Sequence, residues 1–248
     1  MLASAAIARP VRPPAKFSTW QAAGNRYLLV QRSDLDAPLT EAAVRQATGD
    51  ADGILEIVSV TGDTAEIVIW NADGSRAEMS GNGTRIAARW LAERTRRDAV
   101  TVRVGTRKVR ARLLPDGRLE QELGQFEVGP SELADGIEFV PVSVGNPHAV
   151  VLGDPDEIER IGPVLETHPR FPNRTNVQVA RIQGPGEVAT RVWERGVGET
   201  ASSGTSAVAV AAATHGEGTV VVHFPGGDLT VRLEDGRATL IGPVERLA

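Results

Sequence analysis

Trp193–Thr214, W-E-R-G-V-G-E-T-A-S-S-G-T-S-A-V-A-V-A-A-A-T, decides how the rest of the chain is read. Val188 to Trp193 is strand-like and feeds a glycine-bearing turn, which delivers Ser203-Gly204-Thr205 to the start of an alanine-rich helix. Small hydroxyl residues and glycine at a helix start cap it. They also leave free backbone N–H groups open to an anion, with the positive end of the dipole outward. The stretch has an echo: Trp70–Trp90 reads W-N-A-D-G-S-R-A-E-M-S-G-N-G-T-R-I-A-A-R-W. Each tryptophan stands ten residues before a Ser-Gly pair, Ser80-Gly81 in one stretch and Ser203-Gly204 in the other. Upstream, Gly24-Asn25 precedes the apolar run Tyr27–Val30, and Gly145-Asn146 precedes Ala149–Leu152. Asn25 lies 55 residues before Ser80, and Asn146 lies 57 residues before Ser203. The same parts recur in the same order, offset by about half the chain. Such a repeat predicts two similar domains facing each other, each presenting a helix N-terminus to one cleft.

A chain of 248 residues can bury a substantial core as one large domain or two small ones. Hydrophobic content of 41% and charged content of 24% are those of a soluble globular protein. The net charge of -5 carries no basic footprint, which argues against nucleic acid as a partner. Cysteine is absent, so disulfides, thiolate chemistry and Cys-built metal sites are excluded together. The four histidines, His148, His168, His215 and His223, show no H-x-x-x-H spacing, so no metal site is expected. No apolar run reaches membrane-spanning length, and a cytoplasmic protein without a membrane partner is the expectation. Residues 1–15 lack the charge-then-apolar order of a secretory leader and are expected to form a disordered tail.

Along the chain, Phe17–Gln31 reads as strand, loop and strand, and Thr40 caps a short helix that stops at Gly49. Ile54–Val60 and Thr64–Trp70 form a hairpin across Thr61-Gly62-Asp63. Asn71–Met79 reads as loop, and Asn82–Arg96 has the apolar spacing of a helix. Val100–Val104 and Lys108–Leu114 are strands, and Gln125–Gly136 is a loose acidic connector. Ile137–Val144, Ala149–Leu152, Asn176–Ile182 and Val188–Trp193 are strands, with a helix from Asp154 to about Ile161. Gly204–Thr214 is the second long helix, followed by strands at Thr219–Phe224, Leu229–Leu233 and Ala238–Ile241. Many strands with one long helix per half make an α+β fold. An alanine-rich helix that is apolar on every side is surrounded by sheet, so each half reads as a curved, mostly antiparallel sheet wrapped around a central helix. The expected domains are 16–124 and 125–237, with 238–248 returning to the first.

Taken together, W-Q-A-A-G-N-R-Y, A-D-G-I-L, N-A-D-G-S, S-G-N-G-T-R, G-N-P-H-A-V, R-T-N-V, W-E-R-G-V-G-E-T and S-G-T-S-A make the chain resemble the diaminopimelate epimerase family, from Phe17 onward. These are pyridoxal-independent amino-acid racemases and epimerases. The resemblance implies two pseudo-symmetric domains and a cofactor-free isomerase that interconverts LL- and meso-diaminopimelate, in lysine and cell-wall biosynthesis. The substrate would be a small amino acid, and a homodimer is left open. The reaction needs one group to remove the α-proton and another to return a proton to the opposite face.

The family carries a cysteine at each helix start, where this chain has Ser80 and Ser203. By the resemblance these serines occupy the proton-transfer positions, supported by His148 and Glu194. A serine becomes a useful base only with a partner that takes its proton. The matching substrate contacts are Asn25, Asn71, Gly81, Asn82, Asn146, Asn176, Glu194, Arg195, Gly204 and Thr205. Asn offers donor and acceptor to a zwitterion, and Arg suits a carboxylate. A second departure is a shortened loop at Ala47–Gly53. Two alternatives stand beside the epimerase: a non-catalytic amino-acid- or partner-binding descendant, and a carboxylate-based isomerase of the phenazine-biosynthesis type working through Glu78 or Glu194.

Overall fold

Hairpins of alternating hydrophobicity and two nearly all-buried helices organise the computed structural model, which describes residues 17–247. The expected tail at 1–15 lies outside the described residues. β1 (Ser18–Ala22) and β2 (Asn25–Gln31) pair antiparallel. α1 (Glu41–Ala47) is capped by Thr40, whose hydroxyl accepts the Ala43 N–H at 3.2 Å. β3 (Gly53–Thr61) runs parallel to β2 and turns into the antiparallel β4 (Thr64–Asn71), on which the short β5 (Arg76–Ala77) folds back. After α2 (Gly81–Thr95), β6 (Ala99–Val104) lies parallel to β4. β7 (Arg107–Leu113) and β8 (Leu119–Gln125) complete an antiparallel meander.

The chain then repeats itself. Past β9 (Glu127–Val128) and β10 (Glu132–Ala134), β11 (Ile137–Ser143) and β12 (Pro147–Leu152) form the hairpin that matches β1 and β2. A 3-10 turn at Pro155–Glu157 leads into α3 (Ile158–Glu166). β13 (Asn176–Gly184) is parallel to β12, and β14 (Glu187–Glu194) is antiparallel to β13, with β15 (Gly198–Thr200) folded back on it. α4 (Gly204–His215) precedes β16 (Gly218–Phe224), which is parallel to β14. β17 (Gly227–Glu234) and β18 (Arg237–Gly242) close the second meander, and β19 (Glu245–Arg246) ends it.

Two pairings tie the halves together. β8 and β18, equivalent strands, pair antiparallel with each other, so the sheet runs on from one half to the other. The next short strand in each half crosses over: β9 pairs with β11, and β19 returns to β1, placing Arg246 opposite Trp20. Three details differ from the sequence reading. The connector at 125–136 is not loose but carries β9 and β10, and residues 119–125, left unassigned, form the central seam strand. Asn71–Met79 also contains a strand, β5, too short to show alternation.

Each long helix is the centre of its own core. Ile86, Ala87, Ala88 and Leu91 of α2 pack among Leu29, Leu55, Ile67, Ile69 and Val102. Ala207–Ala212 of α4 pack among Val192, Val222, Leu229, Val231 and Leu240. Burying one Leu or Ile side chain fully is worth about 1.5–3 kcal/mol, so these stripes hold each helix inside its sheet. Alanine all round α4 lets the strands close in on every side.

The halves also meet at the turns before β2 and β17. A Cβ on Gly226 would lie 2.5 Å from the Ala23 carbonyl oxygen and 2.9 Å from that of Ala201. Backbone on two sides leaves no room for a methyl. Gly226→Ala is therefore expected to cost about 1–3 kcal/mol and lower the melting temperature by roughly 2–12 °C. Gly184→Ala, whose Cβ would meet nothing within 4 Å, should stay within about 0.5 kcal/mol of the parent in the same thermal scan.

Candidate active site

The repeated tryptophans anchor the strands that lead to the site. Trp70 Nε1 donates to Glu56 at 3.0 Å, and Trp193 Nε1 donates to Glu166 at 2.8 Å. Both carboxylates are buried, so each indole N–H keeps a partner away from water. Glu166 does more: its other oxygen accepts the Gly196 N–H at 2.8 Å and so fixes the turn that follows Glu194. Gly162 permits this packing, because a Cβ there would lie 2.7 Å from the Trp193 side chain.

Beyond those strands the N-termini of α2 and α4 abut. A Cβ on Gly81 would lie 3.1 Å from Gly204 Cα, and one on Gly204 would lie 3.3 Å from Gly81 Cα. Gln121 Nε2 donates to the Gly81 carbonyl at 3.1 Å, while its seam partner Leu240 covers Gly204. Ser80 and Ser203 are the residues immediately before these two helices, and both have extended backbone.

The two serines are bonded differently. Ser80 Oγ caps α2 by accepting the Gly83 N–H at 3.0 Å and lies 3.2 Å from the Tyr27 hydroxyl. Ser203 does not cap α4; its hydroxyl lies beside Glu194 and lowers the pKa of that carboxyl. Glu194 Oε1 accepts the Thr200 hydroxyl at 2.6 Å. Desolvation raises the Glu194 carboxyl above its ordinary value, Thr200 and Ser203 pull it back, and Asp52 adds to the rise. Ser203 and Glu194 thus set an alcohol beside a carboxyl group.

Asn25, Asn82 and Ser202 form a polar bridge between the halves. Asn82 Nδ2 donates to Asn25 Oδ1 at 2.5 Å and to Ser202 Oγ at 3.0 Å, and the Ser202 hydroxyl donates to the Ala23 carbonyl at 2.5 Å. Arg85, fully buried, donates from Nη2 to Asn82 Oδ1. Burial pushes its guanidinium down to about 9. His148 is held between Asn146 Oδ1 at 3.2 Å from Nε2 and Gln178 Nε2 at 3.1 Å from Nδ1, and Gln178 also donates to Ser206 at 3.0 Å. Its ring nitrogens meet these amides and not a serine hydroxyl. Burial drives its pKa down to about 3, Gln178 opposes the drop and the Arg195 charge adds to it. His148 is therefore neutral near pH 7.

Other residues singled out from sequence make no side-chain bond to Ser80 or Ser203. Asn71 Nδ2 donates to Ser75 within its own turn at 2.9 Å. Asn176 staples two loops, donating to the Pro147 carbonyl at 3.0 Å and accepting the Arg195 N–H at 3.1 Å. Arg195 projects an exposed guanidinium, Thr205 is half-buried at the start of α4, and Glu78 is exposed. Tyr27, Gln121, Gln178, Arg85, Ser202 and Ser206 belong to the same constellation and were not picked out by motif reading. Of these, only Tyr27 and Gln178 lie on strands whose alternation foreshadows their burial, β2 and β13. Among the described residues no group of three or more His, Asp and Glu side chains is placed to hold a metal ion. No described helix is long and apolar enough to cross a membrane.

Two donor-rich helix ends with a hydroxyl on each can hold a carboxylate and stabilise the enolate-like charge formed when its α-carbon loses a proton. Comparison with known proteins gives the family and the fold. The family model described as diaminopimelate epimerase matches residues 17–132 and 140–247. The chain is 39% identical over 236 residues to the diaminopimelate epimerase of Thermobifida fusca, covering 85% of this chain and 86% of that one. A predicted epimerase from Pseudomonas aeruginosa superposes with a TM-score of 0.72 at 18% identity, covering 94% of this chain and 96% of that chain. A phenazine biosynthesis protein from Bacillus anthracis also gives 0.72, at 13% identity over the same shares. At such identities the superpositions establish the fold alone.

The depressed His148 pKa sets a pH dependence. Between pH 6.5 and about 3 the unfolded chain takes up a proton that the folded one refuses. Stability from this residue is thus complete above pH 6.5 and falls as pH drops, by up to about 1.4 kcal/mol per pH unit. Urea titrations from pH 7 to pH 4 should show this slope, and His148→Gln should flatten it whatever its effect at pH 7.

Proposed function

From the premise that this chain belongs to the diaminopimelate epimerase family, and is an isomerase of the epimerase type, we propose that its cleft binds diaminopimelate or a close analogue. In this reading the α-carboxylate rests on the backbone N–H groups at Gly81-Asn82 and Gly204-Thr205, and Asn25, Asn82 and Arg195 face the polar ends of the zwitterion. Ser80 and Ser203 stand on opposite faces of the α-carbon. The observation that carries the reading is the abutment of the two helix N-termini at Gly81 and Gly204, each preceded by a serine.

Serine limits the chemistry. A thiol titrates near pH 8.5 and lower still at a helix N-terminus, while an alcohol has no titration near neutrality. Orientation and charge stabilisation survive the exchange of sulfur for oxygen; matched proton transfer does not. Glu194 beside Ser203 offers one remedy, because it can accept the proton through Ser203. It also supports a second reading, in which Glu194 is itself the working base, as in a carboxylate-based isomerase. In either case activity appears as pH rises through the raised Glu194 pKa.

The expected outcome is saturable binding of a diaminopimelate stereoisomer in calorimetry, with slow deuterium wash-in at the α-carbon from heavy water. Ser80→Cys with Ser203→Cys should raise the exchange rate by at least about 100-fold, and either change alone by less. Glu194→Gln should abolish the residual exchange of the unsubstituted chain. Turnover at a thiol enzyme's rate without substitution would sink the argument from serine's acidity. Failure of every diaminopimelate isomer to bind would sink the substrate assignment.

A further inference from the structure

Tyr27 is the only tyrosine in the chain, and it stands where the second half has His148. The registers establish the match: Tyr27 lies opposite Gly53 in the parallel pair β2–β3, and His148 lies opposite Asn176 in β12–β13. Asn25 and Asn146 each precede their partner by two residues. His148 faces amides, but Tyr27 faces Ser80, with the two hydroxyl oxygens 3.2 Å apart. Tyr27 is buried among Trp20, Leu29 and Leu55, so the ring has a packing role that phenylalanine would also fill. The hydroxyl is what packing alone does not require. Burial above all pushes the phenol up to about 12; the bond to Ser80 opposes this, and the charges of Glu194 and Asp52 add to it. At neutral pH it is a protonated donor.

We propose that Tyr27 is a positioning residue, donating its phenolic hydrogen to Ser80 Oγ and thereby directing the serine's own hydrogen into the cleft. Ser80 Oγ already accepts the Gly83 N–H at 3.0 Å, so both of its acceptor directions are taken. Its proton is then the part left to face a ligand. When Ser80 gives that proton to the α-carbon, the pair of electrons on the carbon forms the new C–H bond and the negative charge passes to Oγ. The Gly83 N–H and the Tyr27 O–H hold it there until a proton returns from solvent. The opposite serine faces Glu194, an acceptor, so the two faces are built for different halves of the proton transfer. The proposal rests on the role given to Ser80 under Proposed function.

A single tyrosine makes the test direct, because [13Cζ]-tyrosine labelling gives one ring resonance. In the intact chain at neutral pH, Ser80→Ala should move that resonance, and saturating meso- or LL-diaminopimelate should move it in the parent. Tyr27→Phe should leave the dissociation constant within about twofold and slow α-deuterium exchange by about 10- to 100-fold. A resonance unmoved by Ser80→Ala overturns the hydrogen bond. Exchange unchanged in Tyr27→Phe, or lost in step with binding, overturns the positioning role. Ligand binding with no exchange in the parent overturns the catalytic reading of the site, and the role of Tyr27 with it, even where the resonance reports the bond.

Discussion

The close approach of two helix N-termini is the constraint on which the meeting of the two halves depends. Gly81 and Gly204 are in van der Waals contact across the halves, and neither position has space for a side chain without displacing the other. Two positive dipole ends brought together repel each other, and each bears N–H groups without intrahelical partners. Ser80 Oγ takes one of these N–H groups, that of Gly83. An anion at such a pair of ends would relieve the repulsion.

On this symmetric backbone the chemistry is asymmetric. Equivalent positions carry Tyr27 and His148, Asn71 and Glu194, Gln121 and Leu240. The first half supplies donors around Ser80, and the second places a carboxyl beside Ser203. The network from Arg85 through Asn82 to Asn25 and Ser202 crosses between the halves, so their relative placement is set by hydrogen bonds as well as by the β8–β18 seam. A low-dielectric surrounding strengthens these bonds and makes each one costly to break.

The sequence by itself determined the repeat, the hairpins, the two long helices and the serines at their starts. Those features are local: alternation, helical spacing, capping residues and turn glycines act within a few residues. Glu194 and Asn82 are singled out through the resemblance of their motifs to a known family; they lie at the end of β14 and the start of α2. Tertiary structure alone decided which hydroxyl meets which partner. Tyr27 and Ser80 are 53 residues apart in sequence, and Asn82 and Ser202 are 120 apart. No local propensity encodes such a pairing. The seam through β8 was likewise invisible, because Leu119–Gln125 alternates weakly and becomes a strand only when β7 and β18 flank it. Nor could a motif reveal that His148 is neutral and held by amides while Glu194 is desolvated beside a serine. Proton affinity depends on burial and on neighbours brought from distant parts of the chain, and those exist only once the chain has folded.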